Sequence, residues 1–328
     1  MRRREGEMTN QETKTAYVFP GQGAQELGMG MDLYENFSSA REAFDEADDA
    51  LGFAISRLCF EGPLETLTKT DNVQPALLVT SIACLRAAEQ SNMVLPSASF
   101  AGGPSLAEYT AIAAAGMVSL GDAVRIVRER GRLMDEAGKK RPGGLLAVIG
   151  LDKNIIDDIC ASTETVISNI NAPGQIIISG TNGAIEKAYK LAEEKNAYRL
   201  IRLKVSGAFH SPLMEPVVDE LREVISRYKF KPPAFPVIGM AARMGLTDVE
   251  EIKKDLVSQI ISCNDWISCV EHMKENGVDS YIEFGPGQVI SRLISRIDSN
   301  ARIFNISGIE DIINSQDQTS ALSPGNER

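Results

Sequence analysis

The chain has 328 residues, a formal net charge of −11, 43% hydrophobic residues and 24% charged residues, an ordinary globular composition with room for one large domain or two smaller ones. An acidic chain lacks the basic field that nucleic-acid phosphates require, so no nucleic-acid partner is expected, although one local arginine suffices to hold a small anion. No apolar run is long enough to span a bilayer, and five scattered cysteines (Cys59, Cys84, Cys160, Cys263, Cys269) without a CxxC pair read as free thiols of a cytoplasmic protein.

Residues 1–14 are charged and lack the apolar core of a signal peptide; they read as a disordered leader, with Met8 as an alternative start. Thr15-Ala16-Tyr17-Val18-Phe19 has the composition of a short buried strand, and Pro20 to Gln25 form a tight turn after it. Two glycines around Gln22 let a ligand approach the backbone, and Gln22 carries both a donor and an acceptor. Residues 35–60 show helical periodicity. A strongly apolar helix follows, expected to start near Gln74-Pro75 because proline suits a first helical turn.

Gly103-Pro104-Ser105-Leu106-Ala107 stands between an apolar lead-in and an Ala-rich helical run. A serine at such a strand-to-helix turn has the layout of a nucleophile elbow, with a helix N-terminus behind it to favour developing negative charge. The last position of the G-x-S-x-G pattern is Ala107, so an N-cap serine opening an ordinary helix is the competing reading. Leu120 to Ala137 forms a further amphipathic helix with Arg128, Arg130 and Arg132 near its end.

From Gly143 to Val205 the pattern is strand, helix, strand, strand, helix, strand, the order of a ferredoxin-like unit, here inserted into a larger domain. Strands alternating with helices resume after it and predict a parallel sheet covered on both faces. The polar segment 309–328 reads as a disordered tail. The expected organisation is therefore 15–142 plus 207–308 as the large part and 143–206 as the insertion.

Only two histidines are present. His272, in a polar helix with Cys269 and Cys263 nearby, matches no metal-ligand spacing and reads as a surface residue. His210 leaves the insertion on a loop at a domain junction, where sites are often built. A neutral imidazole near its ordinary pKa of about 6.5 can take a serine proton, so His210 is the base to pair with Ser105.

Taken together, FPGQGAQ (19–25), QPALL (74–78), PSLAEYTAIAAAG (104–116), RERGRLM (128–134), NAPGQIIISG (171–180), SGAFHSPLM (206–214) and EFGPGQVI (283–290) occur in the order found in malonyl-CoA:acyl carrier protein transacylases, and the chain resembles that family from about Thr15 to Ser307. The resemblance implies an α/β-hydrolase-like large subdomain with an inserted ferredoxin-like small one. It implies transfer of malonyl from malonyl-CoA to the phosphopantetheine thiol of acyl carrier protein, by a monomer without metal or redox cofactor. It implies Ser105 as nucleophile, His210 as general base, Gln22 and the N–H of Leu106 as oxyanion hole, and Arg130 as clamp for the malonyl carboxylate. Gln259 matches a glutamine that orients the histidine, and Phe209 would stand where an α-methyl branch needs room. Lys139-Lys140-Arg141, or Arg199, Arg202 and Lys204, are the basic clusters available to an acidic carrier.

The sequence departs from the family at Pro104 and Ala107, where His and Gly are usual, and at Cys263-Asn264, where a Pro-Val pair precedes the tryptophan. Two alternatives stand beside the transferase: an acyl hydrolase, against which the carboxylate clamp argues, and a weakly active subunit kept for carrier binding, which the altered elbow would suit.

Overall fold

A computed structural model describes residues 14–91 and 93–319. The strands in chain order are β1 (Lys14–Val18), β2 (Ala98–Gly102), β3 (Gly143–Ile149), β4 (Val166–Ala172), β5 (Gln175–Thr181), β6 (Arg199–Arg202), β7 (Val237–Gly239), β8 (Met244–Leu246), β9 (Asn264–Asp265), β10 (Val278–Phe284) and β11 (Arg302–Ile306). They form a six-stranded sheet, β11-β10-β1-β2-β7-β8, and a five-stranded sheet, β6-β3-β5-β4-β9.

The larger sheet is parallel across β11-β10-β1-β2-β7. Strands buried on both faces explain its unbroken apolar runs: Val18, Phe19, Ile282 and Phe284 are fully buried. One expectation needs correction here. The sheet is mixed, because β8 returns as an antiparallel edge on β7, and Arg243 in the left-handed region at φ 59 makes the tight return that the sequence pattern concealed.

In the smaller sheet β3 lies between β5 and β6, and β5 pairs with β4, all antiparallel. That strand order is the one a split β-α-β unit takes when its second half folds back beside the first. The added strand β9 pairs parallel with β4, Asn169 against Asn264, and ties this sheet to the chain that follows it.

The Thr70–Gln90 helix is apolar on nearly every side and correspondingly buried. It begins four residues before the expected start, and Pro75 lies inside it. Proline cannot donate to the carbonyl four residues back, so the Asp71 carbonyl is left free. Arg128 takes it, Nη1 to O at 2.6 Å, and also pairs with the Asp71 carboxylate at 3.0 Å. Arg128 is thus a half-buried brace between two helices.

Two further expectations change. The tail read as disordered from residue 309 forms a helix, Ile309–Thr319, seated by buried Ile312. Its first turn is held by the Asp311 carboxylate, which accepts from the N–H and Oγ of Ser307, and by Asp32, which accepts from the N–H of Ile309 at 2.7 Å. Residues 1–13 and 320–328, where the remaining tail assignments fall, lie outside the described residues. His272 is half-buried: its Nε2 accepts from the N–H of Gly245 at 3.0 Å and its ring meets Phe100 edge-on. Among the described residues no helix is long and apolar enough to cross a membrane.

The Thr70–Gln90 and Leu120–Lys140 helices cross in contact at Gly131. A Cβ added there would lie 2.5 Å from the Thr70 carbonyl oxygen and 2.7 Å from the Asp71 Cα. Both are backbone atoms, so the helices themselves must separate. Gly131→Ala is expected to destabilise the fold by about 1–3 kcal/mol, read as a fall in Tm of a few degrees, although alanine is the better helix former.

Candidate active site

β2 delivers the chain to Gly103, whose φ of 155° and tight surroundings exclude a side chain. A Cβ there would stand 2.5 Å from both the Ala107 Cβ and the Phe19 carbonyl oxygen. The Ala107 methyl, fully buried, fills the space that Gly103 leaves empty, which is how the elbow admits alanine at its last position. Ser105 then takes φ 56°, ψ −103°. A non-glycine residue held there costs about 1–3 kcal/mol and lifts its side chain out of the turn. Ser105 makes no capping hydrogen bond to the Leu106–Ala114 helix, so the N-cap reading fails. Its Oγ instead accepts from Arg130 Nη2 at 2.9 Å.

Arg130 is 1% exposed. Its guanidinium lies 5.0 Å over the Tyr109 ring, and Nη1 donates to Gln74 Oε1 at 2.7 Å. Nη2 also reaches Gln259 Oε1 at 3.2 Å, while buried Nε has no partner. Among the described residues no carboxylate forms an ion pair with it. A buried cation is normally paired, so this one is an open half of a charge pair, facing the Ser105 turn.

Gln259, fully buried just after the Val249–Ser258 helix, connects the remaining groups. Nε2 donates to the Ser105 carbonyl at 2.9 Å and to Glu108 Oε2 at 3.2 Å. Its own carbonyl accepts from His210 Nδ1 at 2.8 Å. Burial first, and the nearby Asp255 charge second, hold Glu108 well above the usual carboxylate range. Glu108 Oε2 accepts from the Met240 N–H and from Gln259, and makes no ion pair with Arg130.

His210 is also in the left-handed region, at φ 55°, and 5% exposed. Because Nδ1 donates to the Gln259 carbonyl, the lone pair resides on Nε2. Burial, reinforced by the Arg130 charge, pushes the imidazole down to about 4, while the hydrogen bond to Gln259 opposes the shift. The ordinary value expected from sequence is thus replaced by a less basic ring that stays neutral well into the acid range.

Ser105, His210, Arg130, Gln22, Leu106 and Phe209 line one pocket of about 170 Å³. Leu106 opens its helix, so its N–H is among those an α-helix leaves unpaired. Gln259 lies behind these residues as their support. Gln74 and Asn264 were not assigned from sequence. Gln74 sat in a quoted motif without a role, and Asn264, whose Nδ2 stands 3.1 Å from His210 Nε2, was noted only as a departure from the family. Nothing in either local pattern shows that a buried amide faces a cation or an imidazole.

The acyl transferase domain family matches residues 16–286. The chain is 41% identical to the malonyl CoA-acyl carrier protein transacylase of Bacillus subtilis strain 168 over 305 residues, 92% of this chain and 95% of that one. It is 39% identical to the enzyme of the same name from Staphylococcus aureus strain MRSA252, covering 92% and 97%. Among solved structures it is similar to an acyl-carrier-protein S-malonyltransferase from Bartonella henselae, with TM-score 0.90, 36% identity and coverage of 94% and 100%. It is also similar to a malonyl-transacylase solved in complex with its type II PKS acyl-carrier protein, with TM-score 0.89, 35% identity and coverage of 93% and 100%.

The buried acid and the buried imidazole act on stability in opposite directions. Glu108 ionises more readily when unfolded, so its contribution falls as pH rises above about 4.5. His210 protonates more readily when unfolded, so its contribution rises with pH between about 4 and 6.5. Glu108→Gln removes only the first effect. In thermal melts, its Tm relative to the parent is expected to improve steadily from about pH 5 to pH 8.

Proposed function

The chain belongs to the malonyl-CoA:acyl carrier protein transacylases of the acyl transferase domain family, and from that premise we propose how its own residues carry malonyl from CoA to the carrier thiol. The observation that carries the reading is Arg130, a buried guanidinium with no carboxylate of its own, hydrogen-bonded to the serine that would be acylated. The free carboxylate of a malonyl thioester supplies the missing charge. A planar donor edge suits it, and acetyl has nothing to offer in its place.

Ser105 Oγ attacks the thioester carbonyl while His210 Nε2 takes its proton. The oxyanion that forms is met by the Leu106 N–H and by Gln22. The intermediate collapses, the C–S bond breaks, and His210 returns the proton to the departing CoA thiolate. The carrier's phosphopantetheine thiol then gives its proton to His210, attacks the malonyl-serine and releases Ser105. The scheme uses no metal or redox cofactor and needs only one copy of the chain.

The carboxylate also acts on the base. Arg130 depresses His210, so an anion bound at Arg130 offsets that effect and makes the imidazole more basic when the correct acyl group is present. Phe209, 4% exposed and on the pocket wall, limits the room for a branch beside the thioester carbonyl. The carrier's approach is assigned to β6 and the residues after it, where Leu203 and Val205 line the pocket and Arg199 and Lys204 are exposed. Arg202 is engaged by Glu186 and Lys139 by Asp135, which weakens the other basic candidates. Five unpaired cysteines fit a cytoplasmic setting.

Incubation with malonyl-CoA is expected to add one malonyl group, seen by intact-protein mass spectrometry and absent from Ser105→Ala. Malonyl-carrier should appear when carrier is added; CoA release with no malonyl-carrier would show a hydrolase instead. Arg130→Ala is expected to lower kcat/KM for malonyl-CoA by about 100-fold or more, since two charge-assisted hydrogen bonds are lost. The same variant should lose less than about tenfold with acetyl-CoA, which never made those bonds. In the parent enzyme the acid limb of kcat/KM is expected well below pH 6, toward about 4, following His210.

A further inference from the structure

The Ser105 hydroxyl is bound to Arg130 and not to the base. Its Oγ accepts from Arg130 Nη2 at 2.9 Å, and no hydrogen bond joins it to the His210 imidazole, whose Nδ1 is turned to the Gln259 carbonyl. A lone pair engaged by a cation is a poorer nucleophile, and a hydroxyl that does not meet its base cannot hand over a proton.

The hydrogens of the guanidinium decide what a carboxylate must displace there. A guanidinium has five, and a two-pronged grip on a carboxylate uses either its Nη1–Nη2 edge or its Nε–Nη2 edge. Nη2 belongs to both edges, and it already serves two acceptors, Ser105 Oγ and, at 3.2 Å, Gln259 Oε1. Gln259 is the fixed one. It is fully buried, and its Nε2 donates to the Ser105 carbonyl at 2.9 Å and to Glu108 Oε2 at 3.2 Å. Gln74, which takes Nη1 at 2.7 Å, is buried as well. Ser105 Oγ, by contrast, is carried on one rotatable bond by a half-buried residue of the pocket wall. It is the partner that yields.

We propose that Arg130 is a latch on the nucleophile as well as a clamp for the substrate: the acyl carboxylate takes the Nη2 hydrogen that holds Ser105, and the freed hydroxyl turns to His210. The proposal rests on the transferase reading and deepens it, because the carboxylate becomes a condition for attack and not only a source of binding. An acyl group without a carboxylate leaves Ser105 on the cation. Discrimination against acetyl then has two parts, a contact the substrate does not make and a nucleophile it does not release.

The test supplies the two halves of the substrate separately. The parent is incubated with acetyl-CoA and formate, which together approximate a malonyl thioester, and acetylation of Ser105 is followed by intact-protein mass spectrometry in a single turnover at constant ionic strength. In that step Ser105 Oγ forms the ester, the C–S bond breaks, and the serine proton leaves on the CoA thiol. Formate is expected to accelerate acetylation by about tenfold, with saturation, while chloride and the neutral formamide leave the rate unchanged. Arg130→Met, which fills the space without a donor, should abolish the formate effect.

An anion at Arg130 also makes His210 more basic, so a second measurement isolates the latch. The Kd of formate is read from the His210 imidazole protons by NMR in the parent and in Ser105→Ala. Formate must displace the hydroxyl in the parent and not in the variant, so Ser105→Ala is expected to bind it about tenfold more tightly, the worth of one hydrogen bond to a charged group. Equal or weaker binding by Ser105→Ala, or acetylation that formate leaves unchanged or slows, overturns the latch even where malonyl transfer proceeds. A parent that fails to malonylate carrier overturns the transferase reading, whatever formate does.

Discussion

The guanidinium of Arg130 lies in the protein interior with no carboxylate to neutralise it, and the surrounding structure is arranged to tolerate that charge without cancelling it. The Tyr109 ring beneath it, the amide oxygens of Gln74 and Gln259, and the Ser105 hydroxyl offer partial charges only. Glu108, one turn from Ser105, could have closed the pair, but its Oε2 is turned to the Met240 N–H and Gln259, and burial and the neighbouring Asp255 push its carboxyl well above the usual range. A buried ion pair already complete would gain little from a ligand, whereas an incomplete one gains the whole charge–charge interaction when an acyl carboxylate arrives. In the proposed reading, the missing partner of this cation is the substrate's carboxylate.

The same economy of negative charge shapes the base. The imidazole is oriented by a backbone carbonyl, and the residue that supplies it, Gln259, also reaches the Ser105 backbone and the guanidinium. One neutral residue, through its side chain and its backbone carbonyl, thereby links these three groups. A carboxylate at this position would raise the basicity of His210 and, within the same few ångströms, neutralise Arg130. Using an amide and a peptide carbonyl separates the two requirements: the imidazole is held in one tautomer, and the guanidinium keeps its field for the substrate.

Backbone strain is placed where these groups must converge. Ser105 and His210 both occupy the left-handed region, each at the end of a different segment, and both line the same pocket. Such conformations persist only where the surroundings over-determine them. For Ser105 that support comes from the close packing of Gly103 against Ala107 and Phe19. For His210 it comes from the Gln259 carbonyl at Nδ1 and from the Asn264 amide packed against the ring. The elbow's unusual alanine is thus compensated within the elbow, while the unusual asparagine faces the base directly.

The residue order alone determined a good deal. Buried parallel strands are written as unbroken apolar runs, the insertion as a change to paired short strands, and a serine flanked by small residues before an Ala-rich helix marks its turn whatever lies around it. Those signals are local, so they are legible without the fold. The early start of the Thr70–Gln90 helix and the helix at 309–319 escape the local pattern because each depends on a distant partner, an arginine that occupies the carbonyl freed by Pro75 and an aspartate at position 32, while the return to β8 turns on a left-handed Arg243, a conformation an arginine does not advertise. The site divides in the same way. That Ser105, Arg130 and His210 belong to it could be read from the motifs. That Arg130 is unpaired, that His210 is pushed down to about 4, and that Gln74, Glu108 and Asn264 complete their surroundings was decided only by tertiary structure, because desolvation and hydrogen bonding act between residues that folding, and not sequence spacing, brings together.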